Sequence, residues 1–337
     1  MARFLHCRAD DVSPSSTCVV PLAAVLCLSL ITVSCDPSPR IDDRVSGRTP
    51  LARIVRAWEL RKISLQPAVQ EAIKECMRAR RFRYVPHSSR LEFASAPAHE
   101  LSAADFTAKY GYGITTRDDD KKAFEAPVAP DPNKRMVRSL SPSRRRAYVR
   151  ALWGSRPDSV KMFHEGEEVA QWYPSSCVTK ANEAIIGPQK AAVEASLRMN
   201  DLLAKLQRAI SHDPRILQAT EAWSRCMQRR GRHYRHPNDI PTDLARRRHL
   251  LVGTQGTSAP KTKDNRGSER GMERLRGFEF AIAQDDMTCR DQTRLDHVVF
   301  KVRTAYEIDF VRQNHHLISH VWPVPPALLS EAMSGDH

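Results

Sequence analysis

The chain has 337 residues and a formal net charge of +14, because 53 Lys and Arg residues outnumber 39 Asp and Glu residues. Such a basic chain is attracted to anionic lipid head groups, anionic wall polymers or nucleic acid. No recognised nucleic-acid-binding module accompanies its arginine runs, so nucleic acid is not an expected partner. The length is sufficient for one large domain or two small ones.

The chain begins with the pattern of an export signal. Residues 18–33 form an almost uninterrupted apolar run, which is short for a membrane span but typical of a secretory signal peptide. The run ends at Val33-Ser34-Cys35, and small residues before a cysteine resemble the lipobox of bacterial lipoproteins. That resemblance implies removal of residues 1–34 and lipidation of Cys35. Thr32 stands where the lipobox prefers Leu, so ordinary signal-peptide cleavage nearby is the alternative.

Three segments are expected after the leader. Residues 35–50 are rich in Pro and Ser and are predicted to form a flexible tether. The folded domain is expected at residues 51–320. Prolines at the start of the last segment predict a disordered tail at residues 321–337.

One short phrase occurs twice in the domain, at a constant offset of 150 positions. Its members are Ala72, Cys76, Met77 and Tyr84 in the first copy, and Ala222, Cys226, Met227 and Tyr234 in the second. Each copy lies at the end of a predicted helix. We therefore predict a mainly α-helical, internally duplicated bundle with long loops, whose related halves cover about 51–187 and 188–320.

The domain contains four cysteines besides Cys35, namely Cys76, Cys177, Cys226 and Cys289. An even number in an exported chain favours disulfides. Structural zinc sites use ligand pairs a few residues apart, whereas here every gap exceeds 40 residues, so zinc is disfavoured. Three pairings are possible. The duplication favours a bond within each half, which would link Cys76 to Cys177 and Cys226 to Cys289.

Apolar residues at helical spacing predict the main helices. The helix of the first copy is expected at residues 66–81, and that of the second copy around residues 216–227. Two further amphipathic stretches cover residues 188–210 and 278–317. The last of these would be roughly 60 Å long if continuous, so we expect one break near its middle.

Capping signals mark the ends of several helices. Gly231 stands where a C-terminal cap is expected in the second copy, whereas Arg81 stands there in the first. The two repeated helices are therefore expected to end differently. Ser141 and Pro142 mark the start of another helix. Its inward face is expected to contain Ala147 and Leu152, together with either Val149 or Ala151.

The glycine pair Gly111 and Gly113 is the first candidate for a ligand site. Glycines of this kind can cradle a phosphate, but here no strand precedes them and no glycine-led helix start follows. A surface turn packed by two tyrosines is the preferred interpretation.

Two other clusters were considered as chemical sites. His316 and His320 lie one helical turn apart, but no third metal ligand is apparent. Glu165, Glu167 and Glu168 are expected on one exposed helix face that pairs with arginines, rather than as the opposed carboxylates of a glycosidase. No catalytic residue, cofactor or metal site is predicted.

Six short phrases carry a family resemblance. They are Glu75-Cys76-Met77, Tyr110-Gly111-Tyr112-Gly113-Ile114-Thr115-Thr116, Asp131-Pro132-Asn133, Ser176-Cys177, Trp223-Ser224-Arg225-Cys226-Met227 and Cys289-Arg290-Asp291-Gln292-Thr293. In this order they resemble an uncharacterised family of exported and lipoprotein-type proteins of high-GC Gram-positive bacteria. The likeness covers about Leu51 to His320. It supplies no activity and no catalytic residue.

These observations predict a non-enzymatic exported protein that is anchored through Cys35 and that binds or scaffolds at the outer face of the cytoplasmic membrane. Expected partners are the membrane and either anionic envelope polymers or a membrane protein. The alternatives are an envelope hydrolase acting on wall glycan or peptide, and an accessory subunit of a membrane transporter. The arginine runs could equally be a solvated charged surface. These runs are Arg78–Arg83, Arg144–Arg146, Arg225–Arg235 and Arg246–Arg248.

Overall fold

The computed structural model describes residues 49–87, 101–117, 120, 130–253 and 265–334. The predicted leader, Cys35 and the predicted tether up to residue 48 lie outside these residues. Within them the chain is mainly α-helical, as predicted, with eleven α-helices and one two-stranded hairpin. No helix in this part of the chain is long and apolar enough to span a bilayer.

The elements follow one another with short connections inside each described segment. The first group is α1 (Pro50–Ala79), α2 (Ala103–Tyr110), α3 (Asn133–Ser139), α4 (Pro142–Trp153), β1 (Val160–His164), β2 (Glu167–Trp172) and α5 (Cys177–Ile185). The second group is α6 (Gln189–Ser211), α7 (Pro214–Arg229), α8 (Asp239–Gly253), α9 (Asn265–Thr293), α10 (Leu295–Val321) and α11 (Pro326–Ser334). The helix predicted at residues 66–81 is thus the C-terminal half of a longer helix that continues through Pro67.

Three of the apolar clusters in the described part of the chain connect most of the helices. The first packs the C-terminal half of α1 against α4 and α5, around Met77 and Cys177. The second joins α7, α8 and α9 around Trp223 and Ile282. The third packs the N-terminal half of α1 against α6, α10 and α11, around Trp322.

The clusters cross the predicted boundary near residue 187. Tyr112 and Ile114 belong to the first half in sequence, yet they are buried in the cluster of α7, α8 and α9. Trp58 of α1 is buried with Phe310 of α10. Residues of the two predicted halves therefore pack together in shared apolar clusters.

Both disulfides link the cysteines that the duplication favours. Cys76 on α1 is bonded to Cys177 at the start of α5, and Cys226 on α7 is bonded to Cys289 on α9. The bonds span sequence separations of 101 and 63 residues. In the chain-entropy model a closed loop of this length stabilises the fold by roughly 4–5 kcal/mol. Disulfides are typical of oxidising, extracytoplasmic compartments.

The two repeated helices end in the same way, so the expectation that they would differ is wrong. In each copy the residue five positions after the methionine donates its N–H to the methionine carbonyl oxygen at 2.9 Å, Phe82 to Met77 and Arg232 to Met227. Arg81 precedes Phe82 and Gly231 precedes Arg232, and these two residues have φ values of 63° and 75°. Both ends are Schellman motifs, in which a left-handed residue follows the helix. Glycine adopts this conformation without strain, whereas Arg81 does not.

The predicted break in the stretch 278–317 is confirmed at Arg294. This residue has a left-handed conformation, with φ of 52°, and it separates α9 from α10. A second irregularity lies within α10 at Asn314, which has φ of −121°. The break turns the chain so that α10 packs against both α6 and α7.

The acidic group lies on a β-hairpin, so its prediction as a helix face is wrong. Glu165 and Gly166 form the two-residue turn between β1 and β2, and both have positive φ values, 50° and 85°. Such turns match the twist of paired strands. Glu168 pairs across the hairpin with Lys161 rather than with an arginine.

The predicted disordered tail is wrong for residues 321–334. Trp322 and Ala332 are fully buried, and they belong to the cluster around the N-terminal half of α1. Pro326 is the first residue of α11, a position where proline is favoured because its fixed φ suits a helix start. Arg53 of α1 forms an ion pair with Glu331 at 2.8 Å, which ties α11 to the domain.

A buried carboxylate fixes the start of α1. Glu307 of α10 accepts a hydrogen bond from the backbone N–H of Leu51 at 3.0 Å. Burial raises the pKa of Glu307, although hydrogen bonds from Thr49 and Leu51 oppose this change. The contact holds the N-terminus of α1 against the body of the domain, where the predicted tether ends.

Asp213 caps the start of α7. Its carboxylate accepts the backbone N–H of Arg215 at 2.9 Å and two guanidinium N–H groups of the same residue, also at 2.9 Å. The Tyr306 hydroxyl of α10 donates to it at 3.3 Å. The side-chain hydrogen bonds from Arg215 lower the pKa of Asp213 from 3.8 to about 2.

Replacing Arg81 with Gly should raise the free energy of unfolding by about 1 kcal/mol, because it removes the strain of a left-handed non-glycine residue. Gly231→Ala should lower it by a similar amount for the opposite reason. Urea denaturation of both variants measures these changes. Two shifts of the same sign would contradict the equivalence of the two turns.

The Asp213→Asn variant should lose part of the acid sensitivity of the protein. The carboxylate has a lower pKa in the folded state than in the unfolded chain, so its contribution to stability is present above about pH 4 and is lost as the pH falls toward 2. Thermal unfolding between pH 2 and 6 should therefore show a flatter curve for the variant. Parallel curves over this range would refute the role given to Asp213.

Candidate functional site

An unpaired basic surface lies beside the first copy of the repeated turn. We define it as α3 and α4, residues 133–153, which carry seven Lys and Arg residues and no Asp or Glu. They are Lys134, Arg135, Arg138, Arg144, Arg145, Arg146 and Arg150. All but Arg145 are exposed, and none forms an ion pair with a described residue. Three of them form the predicted run Arg144–Arg146.

The turn of the first copy positions this surface. Arg144 donates a hydrogen bond to the carbonyl oxygen of Arg81 at 3.0 Å, and its guanidinium lies 5.2 Å from the centre of the Phe82 ring. Phe82 packs edge-on against Tyr148 of α4, with 5.5 Å between ring centres. Arg80 donates to the carbonyl oxygen of Ala151 at 3.3 Å. Hydrogen bonds and ring contacts with the turn therefore hold α4 in place without neutralising its charge.

The corresponding region of the second copy is ion-paired. Arg225 pairs with Glu221, Arg230 and Arg232 pair with Asp285, and Arg246 and Arg247 pair with Asp243. Burial raises the pKa of Asp243, but hydrogen bonds from Tyr234, Arg246 and Arg247 outweigh it and lower that pKa below its usual value. Arg229 and Arg235 are exposed there without an ion pair to any described residue. The arginines around the second turn are thus largely ion-paired, whereas the cations of α3 and α4 beside the first turn form no ion pair with a described residue.

The orientation of α4 differs from the prediction. Leu152 and Ala151 face inward as expected, and Tyr148 joins them in the apolar cluster with α1 and α5. Ala147 is exposed, so its inward placement is wrong, and Val149, the alternative to Ala151, is 46% exposed. The bulky Tyr148 ring takes the inward position because it fills the space against Phe82.

The outward face of α4 therefore combines charge with apolar area. It contains Arg146, Val149, Arg150 and Trp153, which follow at the helical spacing i, i+3, i+4 and i+7. Trp153 is 47% exposed. This face is not among the features predicted from the sequence, although the helical spacing of the four residues would have indicated it.

The loop with the two glycines is buried, so its interpretation as a surface turn is wrong. Glu279 of α9 is fully buried and accepts three backbone N–H groups of the loop, from Tyr112, Ile114 and Thr115, at 2.8–2.9 Å. The Thr115 hydroxyl donates to it at 2.6 Å. The positive φ values of Gly111 and Gly113 turn these N–H groups toward one point. The loop does cradle an anion, but that anion is a side chain of the same protein.

A second buried carboxylate lies two turns further along α9. Asp286 accepts hydrogen bonds from Trp223 Nε1 at 2.8 Å, from the Tyr112 hydroxyl at 2.7 Å and from Arg290 Nε at 3.0 Å. Arg290 also contacts Asp296 of α10 at 2.6 Å. Both oxygens of Asp286 are thus hydrogen-bonded inside the fold, and the network joins α7, α9, α10 and the glycine loop.

The other candidate residues are not brought together. His316 and His320 are both exposed on α10, and no three His, Cys, Asp or Glu side chains in the described part of the chain are arranged to hold a metal ion. Glu165, Glu167 and Glu168 are exposed around the turn of the hairpin. Cys35 lies outside the described residues.

Comparisons with known proteins give no further assignment: no family model, no curated protein and no solved structure matches this chain. The resemblance to exported lipoprotein-type proteins of high-GC Gram-positive bacteria stays a prediction.

Replacing Glu279 with Ala should lower the free energy of unfolding by about 3–5 kcal/mol, because it leaves buried N–H and O–H donors without an acceptor. Glu273→Ala is the matched control, since Glu273 is an exposed residue of α9 that lies 4.0 Å from Arg276. The control should change stability by less than about 0.5 kcal/mol. Urea denaturation of both variants makes the comparison, and similar losses would argue against the buried anion cradle.

Proposed function

We propose that the protein is a non-enzymatic exported lipoprotein, anchored through Cys35, that binds at the outer face of the cytoplasmic membrane. The observation that carries the proposal is the unpaired basic surface of α3 and α4. Seven cations that form no ion pair with a described residue attract anionic envelope components. The two disulfides support an extracytoplasmic location.

A binding role fits the described residues better than an envelope hydrolase does. A glycosidase needs two carboxyl groups on opposite sides of a sugar bond. Glu279 and Asp286 are buried and hydrogen-bonded within the fold, while the glutamates of the hairpin are exposed to solvent. No specific observation favours a transporter subunit, so we do not propose one.

Anchoring through lipid at Cys35 and attraction through the basic surface would reinforce each other. A polybasic patch is one of the second signals that strengthen the membrane binding of a lipid-modified protein. The domain therefore has one contact before α1 and another on α4. Together they would hold it at the membrane surface.

The Cys35→Ser variant should fail to incorporate an alkyne-labelled fatty acid in the native host, because the thiol that carries the lipid is absent. Cys27→Ala is the matched control within the apolar leader and should keep the label. In-gel detection of the clicked label gives the readout, and non-reducing peptide mapping identifies the N-terminal peptide and both disulfides. An unprocessed cytosolic chain with four free thiols would overturn export, the disulfides and the envelope role together.

A further inference from the structure

We propose that the outward face of α4 is a docking surface for an anionic phospholipid bilayer, an inference that rests on the proposed envelope function. The face consists of Arg146, Val149, Arg150 and Trp153. It would lie flat at the membrane surface, with the apolar side chains at the level of the lipid head groups.

The geometry of α4 presents this face rigidly. Tyr148, Ala151 and Leu152 are buried against α1 and α5, and they fix the rotation of the helix about its axis. The opposite side therefore points away from the domain, which explains why Val149 and Trp153 remain nearly half exposed. Large apolar side chains that are exposed together in this way mark a surface that is stabilised by contact with a membrane or another apolar partner.

The charge around the face selects an anionic partner. Arg146 and Arg150 flank the apolar pair, and neither has an ion pair with a described residue. The remaining cations of the basic surface lie on the same two helices. Because exposed charges interact over about 10 Å at moderate salt, the cations of α3 and α4 act together on a nearby anionic surface.

The apolar residues favour lipid over a wall polymer. A polymer of phosphate groups can attract arginine, but it offers no hydrocarbon phase to Val149 or Trp153. Tryptophan is enriched at the membrane–water interface, and arginine can bury its aliphatic stem while keeping its charge in water. The second copy also has an exposed pair of arginines, Arg229 and Arg235. No large apolar residue from position 218 to position 249, the segment that contains this pair, is exposed. The pair therefore serves as a charge-only comparison.

The predicted anchor can reach the same bilayer. The 14 residues that follow Cys35, as far as Thr49, can span at most about 50 Å when fully extended. Helix α1 has 30 residues and is about 45 Å long. Since α4 packs on the C-terminal half of α1, the lipid at Cys35 and the outward face of α4 can contact one membrane when α1 lies along it.

Vesicle binding tests the proposal independently of the anchor. The processed chain is used with Cys35→Ser, so that no acyl group contributes. Phosphatidylglycerol-containing vesicles should bind it, phosphatidylcholine vesicles should not, and added salt should weaken the binding. Among the five tryptophans, the other four, Trp58, Trp172, Trp223 and Trp322, are buried. A blue shift of tryptophan emission on the vesicles therefore reports Trp153, and it should disappear in Trp153→Phe.

The variants separate this face from general charge. Arg146→Gln with Arg150→Gln should weaken vesicle partitioning at least tenfold, and Trp153→Ala should weaken it several-fold. Arg229→Gln with Arg235→Gln removes the same net charge, and Leu217→Ala truncates an exposed apolar residue of α7; both controls should stay within twofold of the parent chain. All changed side chains are exposed, and thermal unfolding checks that each variant is folded.

Three results would overturn the proposal. The first is an equal loss in the charge-matched control, which would show that net charge alone drives binding. The second is unchanged partitioning of the α4 variants. The third is binding to soluble poly(glycerol phosphate) without vesicle binding, which would assign the basic surface to a wall polymer. None of these results affects the fatty-acid test at Cys35, so failure of docking and failure of the anchored role are distinguishable.

Discussion

The disulfide next to each repeated methionine fixes the turn on which the surrounding surface depends. Cys76 is bonded to α5, so the adjacent residue Met77 is held in the first apolar cluster with its carbonyl oxygen facing the turn. That oxygen accepts the N–H of Phe82, and the Phe82 ring then packs against α4. This series of contacts links the disulfide to the end of α1 and to the orientation of α4. Without the bond, the left-handed residue Arg81 would have less to hold it in a strained conformation.

The surroundings of the repeated turn differ in charge between the two copies. In the second copy Asp285 and Asp243 neutralise the nearby arginines, and α9 supplies the buried Glu279 and Asp286 that organise the glycine loop. Buried carboxylates of this kind are stable only when every lone pair finds a donor. The polar residues of the second copy therefore pair with one another and stabilise the fold. The first copy leaves its cations exposed, and for this reason we place the binding role there.

The sequence predicted those features that depend on local or repeated patterns. The period of 150 residues indicated the disulfide pairing, and helical spacing indicated the break now found at Arg294. Features that depend on residues far apart in the sequence were not predicted. The glycine loop is buried because Glu279, more than 160 residues away in sequence, accepts its N–H groups. The C-terminal segment is ordered because Trp322 packs against α1, although its prolines taken alone suggested fraying. Ala147 was predicted to face inward because a small residue on a helix does not reveal which side the larger Tyr148 will take.

A lipid anchor on a tether restricts where a domain can go, but it does not set the direction in which the domain faces. A second contact about one helix length away removes most of that rotational freedom, because α1 would then be held near both of its ends. Glu307 holds the first of these ends, and the cluster around Met77 holds the second, so α1 can transmit the constraint as a rigid element. The long first helix, of which the sequence predicted only the C-terminal half, would in this arrangement be the part of the fold that links the anchor to the docking face.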